Sequence, residues 1–392
     1  MPERSKSLFD HSFLGRGFRP FFLMGAIYSA VNLLIWAGFY AGIVTPPDIF
    51  FDPISWHAHE MIYGFAMAII AGFLLTAVAN WTGGAPARQL HLLRLCLTWL
   101  AGRVVMNFSL GLTDMAVLIV QNAFIPALAL SLSIPLFKSW NTRNFAFLGL
   151  LTFLFVCDLV FFITESRTPL YAAVMVIIAM ISLVGGRIIP AFTVAALRRR
   201  EVKVFQTPQN KVDFLAFLSL ISIAAILLIW GKEGIALGVV AIFSAGIHLF
   251  RMRVYHTLKI LNDPMVWILH VGYAWVVVGL FLLGLSAFSV VPLSIVLHTL
   301  TAGAIGSMTI GMMCRVSLGH TGRDLIANKL TVLMFIIMQV AIITRVIFPL
   351  ILPAQMSLWI IGSACLWSAC FGLFVWVYAP ILWQPRPDGK VA

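Results

Sequence analysis

The sequence has few charged residues. Of its 392 residues, 10% are charged and 61% are hydrophobic, whereas soluble domains carry about 25% charged residues. This shortage excludes a soluble enzyme and indicates an integral membrane protein. The formal net charge is +12, but the basic residues lie in short connections between apolar stretches, and no basic run is interleaved with aromatic residues. We therefore predict no nucleic-acid binding.

Patterned cysteines and common catalytic motifs are also missing. No CxxC pair occurs, so neither a zinc ribbon nor a disulfide framework is indicated. We expect five small, buried apolar thiols at Cys96, Cys157, Cys314, Cys365 and Cys370. No catalytic triad, Walker loop or Rossmann glycine pattern is present. Asp and Glu are nearly absent from the apolar stretches, which argues against a carrier coupled to protons or sodium, and no convincing internal repeat is evident.

Apolar stretches of spanning length fill the rest of the chain. About 20 apolar residues cross a bilayer as one helix, so we predict an all-α, polytopic membrane helix bundle forming a single transmembrane domain over residues 1–392. No removable signal peptide is expected, because the first twenty residues are polar. About twelve spans are predicted, at 20–43, 58–81, 90–110, 115–137, 144–164, 169–196, 212–231, 234–251, 264–285, 291–315, 329–352 and 356–382.

Charges in the connections predict the orientation. The N-terminus and every second connection are basic, whereas the first intervening connection has only Asp48 and Asp52. Basic loops stay in the cytoplasm, so we expect both termini to be cytoplasmic and the start of the second span to be periplasmic. The basic residues used are Arg4, Lys6, Arg16, Arg19, Arg88, Arg94, Lys138, Arg143, Arg198, Arg199, Arg200, Lys203, Lys211, Arg251, Arg253, Lys259, Arg323 and Lys329.

Two histidines and a glutamate open the second span: His57, His59 and Glu60. Imidazoles at the mouth of a membrane helix are costly to desolvate and are common ligands of iron and copper. A ridge of small residues shares a helix face with His57, namely Gly64, Ala68 and Gly72. The ridge leaves room for a flat macrocycle, or it serves ordinary helix packing beside interfacial histidines. Both interpretations remain open on this stretch alone.

A third histidine, His298, lies inside the outer end of the tenth span. Gly303, Ser307 and Gly311 form a ridge on another face, which we expect to pack against a neighbouring helix. A single buried histidine is usually a hydrogen-bonded core residue. Three histidines at a common depth in the bilayer favour a metal or heme site.

Two charged residues are expected at similar depth in the outer half of the bilayer: Arg103 in the third span and Asp158 in the fifth. They form a buried ion pair with each other, or Arg103 anchors heme propionates, because guanidinium binds carboxylates bidentately.

Polar residues also collect toward the inner side: Arg187, His270, Arg315 and His320. They form a second site, a proton entry or an interfacial polar cluster, of which we favour the last. The segment from Gly185 to Pro190 predicts a broken or kinked helix end. Met308, Met312 and Met313 are interpreted as packing residues rather than copper ligands. No role is assigned to four histidines interpreted as interfacial: His11, His91, His248 and His256.

Several long motifs resemble those of the NnrS family. They are FRPFF (18–22), WHAHEM (56–61), GFLLTAVANWTG (72–83), GGRIIPAFT (185–193), LHVGYAW (269–275), LHTLTAGAIGSM (297–308) and RVSLGHTGR (315–323). The resemblance covers most of the chain. One departure is Ala79, where proline is expected before Asn80 and Trp81.

The resemblance implies a multi-pass protein of the bacterial inner (plasma) membrane that contains heme and copper. It also implies a part in the nitric oxide response and nitrosative stress tolerance during denitrification. The matching motifs place six residues in the functional core: His57, His59, Glu60, His270, His298 and His320. Three supporting charges are implied as well: Arg19, Arg187 and Arg323.

Our hypothesis is a b-type heme near the periplasmic face that binds nitric oxide or a related ligand. His298 and one of His57 or His59 would be its axial ligands, with Arg103 on the propionates. The other histidine, with Glu60 or a methionine, is the candidate for copper. The alternatives are a secondary transporter for a small anion or metal chelate, and a non-catalytic electron-transfer or assembly partner. Whether a reaction is catalysed, and by which electron donor, stays open.

Overall fold

The computed structural model describes residues 11–45, 51–108 and 110–390. Every regular element in these ranges is a helix, which confirms the predicted all-α class. The predicted topology residues Arg4, Lys6 and Asp48 lie outside the described residues. The predicted orientation and the single domain stay predictions.

Within the described residues, twelve long helices correspond to the twelve predicted spans. Eleven are long and apolar enough to cross a membrane. The exception is the third, Gln89–Asn107, which is less apolar and includes Arg94 and Arg103. The helices are α1 Phe18–Tyr40, α2 Pro53–Thr82, α3 Gln89–Asn107, α4 Asp114–Lys138, α5 Thr142–Thr164, α6 Thr168–Arg198, α7 Asn210–Trp230, α8 Ile235–Met252, α9 Pro264–Ala287, α10 Leu293–His320, α11 Lys329–Ile351 and α12 Pro353–Trp383.

The chain divides into two compact units. Unit 1 takes the described residues of Met1–Glu165, Met313–Leu325 and Phe371–Ala392, and unit 2 takes Ser166–Met312 and Ile326–Cys370. Unit 1 therefore holds α1 to α5 and the ends of α10 and α12. Unit 2 holds α6 to α9, α11 and the remainder of α10 and α12.

Local sequence sets the limits of α2. The Asp52 side chain accepts hydrogen bonds from the amides of Ile54 and Ser55 at 3.0 and 3.2 Å, and Pro53 fits the first helical position, where no amide donor is needed. The helix ends at Gly83, whose φ of 65° is left-handed and suits glycine.

Both histidine-bearing helices contain a π-helical segment, Glu60–Ala66 in α2 and Thr299–Gly306 in α10. A π turn inserts extra backbone and rotates the residues that follow it relative to an unbroken α-helix. The helix faces assigned from a uniform 100° per residue therefore change after His59 and after His298.

In unit 1, the small residues of α2 are covered by α1. A Cβ at Gly72 would lie 3.0 Å from both Phe21 and Phe22, and one at Gly64 would lie 2.5 Å from Tyr28. Small residues let membrane helices approach closely, where dispersion rather than water exclusion holds them together. The ridge therefore serves helix packing, as the second interpretation proposed.

In unit 2, the ridge of α10 packs on α9 as predicted. A Cβ at Gly311 would lie 2.8 Å from Ile268, and one at Gly303 would lie 3.0 Å from Trp275.

The predicted helix break near Gly185 was wrong: α6 runs from Thr168 to Arg198 with Pro190 inside it. Gly186 is needed because a Cβ there would collide with the guanidinium of Arg251.

Candidate functional site

A buried network of ionisable side chains surrounds His59 in unit 1. The imidazole Nδ1 lies 2.8 Å from Glu60 Oε1, and Nε2 lies 3.0 Å from Asp158 Oδ1. His59 and Glu60 are fully buried, and Asp158 is 1% exposed. The two N···O contacts need two protons, one more than a neutral imidazole carries. The network therefore holds an extra proton in the membrane-spanning part of the unit.

Glu60 is held by three further side chains. Arg103 Nη1 donates to Oε1 at 2.6 Å, Asn107 Nδ2 donates to Oε2 at 3.3 Å, and the Tyr28 hydroxyl also donates to Oε2. These contacts compensate the cost of removing the carboxylate from water. With His59 protonated, two cations balance the two carboxylates of Glu60 and Asp158.

One of the two alternatives for Arg103, an ion pair with Asp158, was wrong. Arg103 binds Glu60 of α2, and Asp158 binds His59. The depth assigned to Arg103 and Asp158 in the bilayer was compatible with either arrangement. The direction in which the side chains turn could not be inferred from the sequence, because it depends on the rotation that the π segment gives to α2. The assignment of Arg103 to heme propionates stays a prediction.

His57 has a different environment from His59. Its ring is half-buried and stacks on Trp36 of α1, with centroids 4.3 Å apart and planes 12° apart. The two histidines therefore lie in separate environments.

His298 in unit 2 is a half-buried histidine with a fixed tautomer. Its Nδ1 lies 2.7 Å from the carbonyl oxygen of Ser294. Because a carbonyl only accepts, Nδ1 carries the proton and the neutral ring has its lone pair on Nε2. Metal-ligating histidines have this arrangement, with the second nitrogen donating to a carbonyl or carboxylate.

The two histidine-bearing helices are repeats of one another, which the sequence analysis missed. Residues 53–83 and 292–322 align without a gap. Identical residues pair as Pro53 with Pro292, Ser55 with Ser294, His59 with His298, Gly64 with Gly303, Gly72 with Gly311, Thr82 with Thr321 and Gly83 with Gly322. The matches are few and separated by apolar residues that differ, so they do not stand out in the sequence.

The structural correspondence is stronger than the sequence correspondence. Each segment begins with a short α-helix, changes to a π segment directly after the aligned histidine, and ends at a left-handed glycine, with φ of 65° at Gly83 and 73° at Gly322. Each also packs its two glycines on the preceding long helix, α1 or α9. His59 and His298 therefore occupy equivalent positions of two corresponding helices.

The comparison with known proteins agrees with the motifs. A family model described as NnrS protein matches residues 12–386. The chain belongs to the NnrS family. A comparison with curated proteins gives no match.

The NnrS match covers His57, His59, Glu60, His298 and every other residue predicted as a ligand. In the part of the chain that the structure describes, no three His, Cys, Asp or Glu side chains are grouped as a metal ion needs. A site with fewer protein ligands, such as a heme iron held by imidazole, remains compatible with the donors present.

The NnrS histidine in α9, His270, is 2% exposed and held by two threonines. Thr193 Oγ1 donates to the carbonyl of Ile189, so it accepts from Nε2 of His270 at 2.8 Å. Nδ1 then accepts from the Thr257 hydroxyl at 2.9 Å. A metal at His270 would have to replace one of these hydrogen bonds.

The predicted inner cluster is divided between the units. His270 and Arg187 belong to unit 2, whereas Arg315 and His320 belong to unit 1. His320 is half-buried, and its ring centroid lies 5.7 Å from that of Phe18. The roles of these residues as ligands or supporting charges stay predictions.

A second buried polar network in unit 2 was missed. His248, predicted to be interfacial, is fully buried, and its Nδ1 lies 2.8 Å from the Tyr273 hydroxyl. Arg251, assigned to a cytoplasmic connection, lies inside α8 and donates to Tyr273 at 2.8 Å and to Asp213 at 2.7 Å. Gly186 opposite Arg251 was the available signal, because glycine in a helix permits such an approach.

Three other predictions concern single residues. Four of the five cysteines are buried, but Cys365 is exposed, so its predicted burial was wrong. Met308 packs against Gly272 of α9, in agreement with its interpretation as a packing residue. His91 is exposed and bonds Ser131 at 2.8 Å, as an interfacial histidine does.

Proposed function

We propose that this NnrS-family protein is a heme- and copper-binding protein of the bacterial inner membrane that serves the response to nitric oxide. The observation that supports it most directly is the His298 tautomer. Nδ1 donates to Ser294 O, which places the lone pair of the neutral ring on Nε2, the tautomer that metal-ligating histidines have. Family membership supports the same proposal through the heme and copper that the resemblance implies.

His298 is the proposed heme ligand of unit 2, and His57 is the better candidate in unit 1. Both ring nitrogens of His59 already contact carboxylates, so iron would have to displace Glu60 or Asp158 from it. Heme held by these imidazoles would supply an iron able to bind nitric oxide or to transfer electrons.

Copper keeps its proposed donors, His59 and Glu60. Their contact is joined by a proton, and copper requires an unprotonated nitrogen. Copper at this position would therefore release a proton, and its binding would weaken as the pH falls. Uptake of Cu²⁺ measured at several pH values, with proton release followed by a dye, tests this proposal. Uptake that does not depend on pH would contradict it.

The absorption spectrum of the purified full-length protein tests the heme proposal. We expect a Soret band that shifts when nitric oxide is added. His57→Ala should change the spectrum, and His91→Ala serves as the matched control because His91 is an exposed histidine bonded to Ser131. His270→Ala is expected to keep the heme. Protein without a Soret band after growth with heme precursors would refute the proposal.

A secondary transporter is the second candidate, and one observation favours it. Carriers contain internal repeats, and residues 53–83 and 292–322 correspond to one another, although over a single helix rather than a bundle of helices. Uptake of a small anion or metal chelate into proteoliposomes by colourless protein would support this candidate over the first. A coloured protein that catalyses neither uptake nor turnover would support an electron-transfer or assembly role.

A further inference from the structure

Four arginines of unit 1 gather where the start of α1 meets the end of α12. Arg19 Nη1 donates to the carbonyl oxygens of Leu382 and Gln384, both at 2.7 Å. The charges of Arg16, Arg323 and Arg386 act on Arg19 as near neighbours. We call these four residues the arginine cluster.

Arg19 is fully buried, yet its guanidinium is only partly bonded. Its Nε and Nη2 are buried and have no hydrogen-bond partner among the described residues. A buried guanidinium offers five donors in a planar fork that fits phosphate and carboxylate oxygens. Leaving two of these groups unbonded costs free energy unless a ligand accepts from them.

One carboxylate near the arginine cluster balances only part of its charge. Asp388 binds Arg386, with Oδ1 2.9 Å from Nε, and this hydrogen bond holds the pKa of Asp388 well below its usual range. Arg323 donates to a carbonyl, Thr321 O, at 3.4 Å. Burial, together with the charge of Arg386, lowers the pKa of Arg16. Among the described contacts, the four guanidiniums are therefore matched by the single carboxylate of Asp388.

The members of the cluster differ in burial. Arg16, Arg323 and Arg386 are half-buried, whereas Arg19 lies at the bottom. The backbone amides of Phe18 and Arg19 at the start of α1 are already hydrogen-bonded and contribute little to ligand binding. The Phe18 amide donates to Thr76 Oγ1 at 3.1 Å, and the Arg19 amide donates to Arg16 O at 3.2 Å. Recognition of a ligand would thus rest on the guanidinium side chains.

We propose that the arginine cluster binds the phosphate group of an anionic ligand, with the unbonded donors of Arg19 facing the phosphate oxygens. Arginine is the side chain that binds phosphate bidentately. Basic pockets of membrane proteins bind phospholipid head groups in the same way. The proposal is independent of heme or copper at the histidines.

Binding assays on the purified full-length protein test the proposal. After exchange into lipid-free detergent, inorganic phosphate is titrated and thermal stabilisation is followed. In parallel, native mass spectrometry counts phosphatidylglycerol retained against phosphatidylcholine. Saturable stabilisation by inorganic phosphate identifies a free phosphate ligand. Retention of phosphatidylglycerol without that stabilisation identifies a lipid head group.

Arg323→Gln is the informative variant because Arg323 is half-buried and bonded only weakly to Thr321. We expect it to weaken binding about tenfold or more, as loss of a charge-assisted hydrogen bond does. Arg94→Gln is the matched control, since Arg94 is an exposed arginine of the same unit outside the cluster. Equal binding by wild type and Arg323→Gln, or binding of neither probe by wild type, would overturn the proposal.

Discussion

His59 and His298 occupy the same position of a repeated helix and differ in what surrounds them. In unit 1 the next residue is Glu60, and Asp158 approaches from α5, so both nitrogens of His59 contact carboxylates. In unit 2 the next residue is Thr299, whose hydroxyl donates to Ile295 O at 2.8 Å. His298 donates through Nδ1 to a carbonyl, in the contact that fixes its tautomer.

The difference lies in the side chains around a shared backbone arrangement. Both helices share the proline at the start, the π segment and the glycine contacts, so the backbone places the two imidazoles at equivalent positions. The neighbouring groups then set the protonation of each ring: carboxylates contact both nitrogens of His59, and a carbonyl accepts from Nδ1 of His298.

The largest effect on stability is expected from Glu60→Gln. The substitution leaves the Arg103 guanidinium and the His59 ring buried without their shared counter-charge, which costs about 3–5 kcal/mol. Thr299→Val changes the equivalent position of unit 2 and should cost less than about 1 kcal/mol. Thermal unfolding in detergent measures both, and equal losses in the two variants would contradict the comparison.

Tyr28→Phe tests the same carboxylate with a smaller change. It removes the hydroxyl that donates to Glu60 Oε2, and a hydrogen bond to a charged group contributes about 1.5–3 kcal/mol. Tyr40→Phe is the control, because Tyr40 is half-buried and contacts Trp36 through its ring, with centroids 5.0 Å apart. A melting temperature of Tyr28→Phe that matches this control would count against the network.

The shared packing is tested by the glycines. Gly64→Ala and Gly303→Ala would each press a methyl group on an aromatic ring, 2.5 Å from Tyr28 and 3.0 Å from Trp275. Overpacking of this kind costs about 1–3 kcal/mol, with the larger loss at Gly64. A Cβ at Gly149 of α5 would meet nothing within 4 Å, so Gly149→Ala should not destabilise. Tolerance of alanine at only one of Gly64 and Gly303 would show that the helix pairs are not equivalent.

The helices could be predicted from the sequence because a bilayer requires long apolar segments with internally bonded backbones. The histidines could also be identified as candidate site residues, because imidazoles stand out in such segments. The side chains that contact them could not be identified. Asp158 lies far along the chain from His59, and its contact depends on how α2 and α5 are rotated. The π segments after His59 and His298 shift that rotation and have no clear sequence signal.

Buried polar residues at helix ends were also hard to place. Arg251 follows an apolar stretch and resembles a topology signal, but it lies within α8 and binds Asp213 and Tyr273. The repeat was missed for a related reason. The two helices share their backbone shape and their glycine contacts. In the sequence they share only widely spaced residues such as His59 and His298.

The central proposal is that His298, and not its equivalent His59, is the heme ligand. The heme content per protein of purified His298→Ala, measured with and without added imidazole, tests it most directly. The account predicts that His298→Ala loses heme and regains it when imidazole fills the space, while His59→Ala prepared in the same way retains heme. Full heme content in His298→Ala without imidazole would contradict the claim.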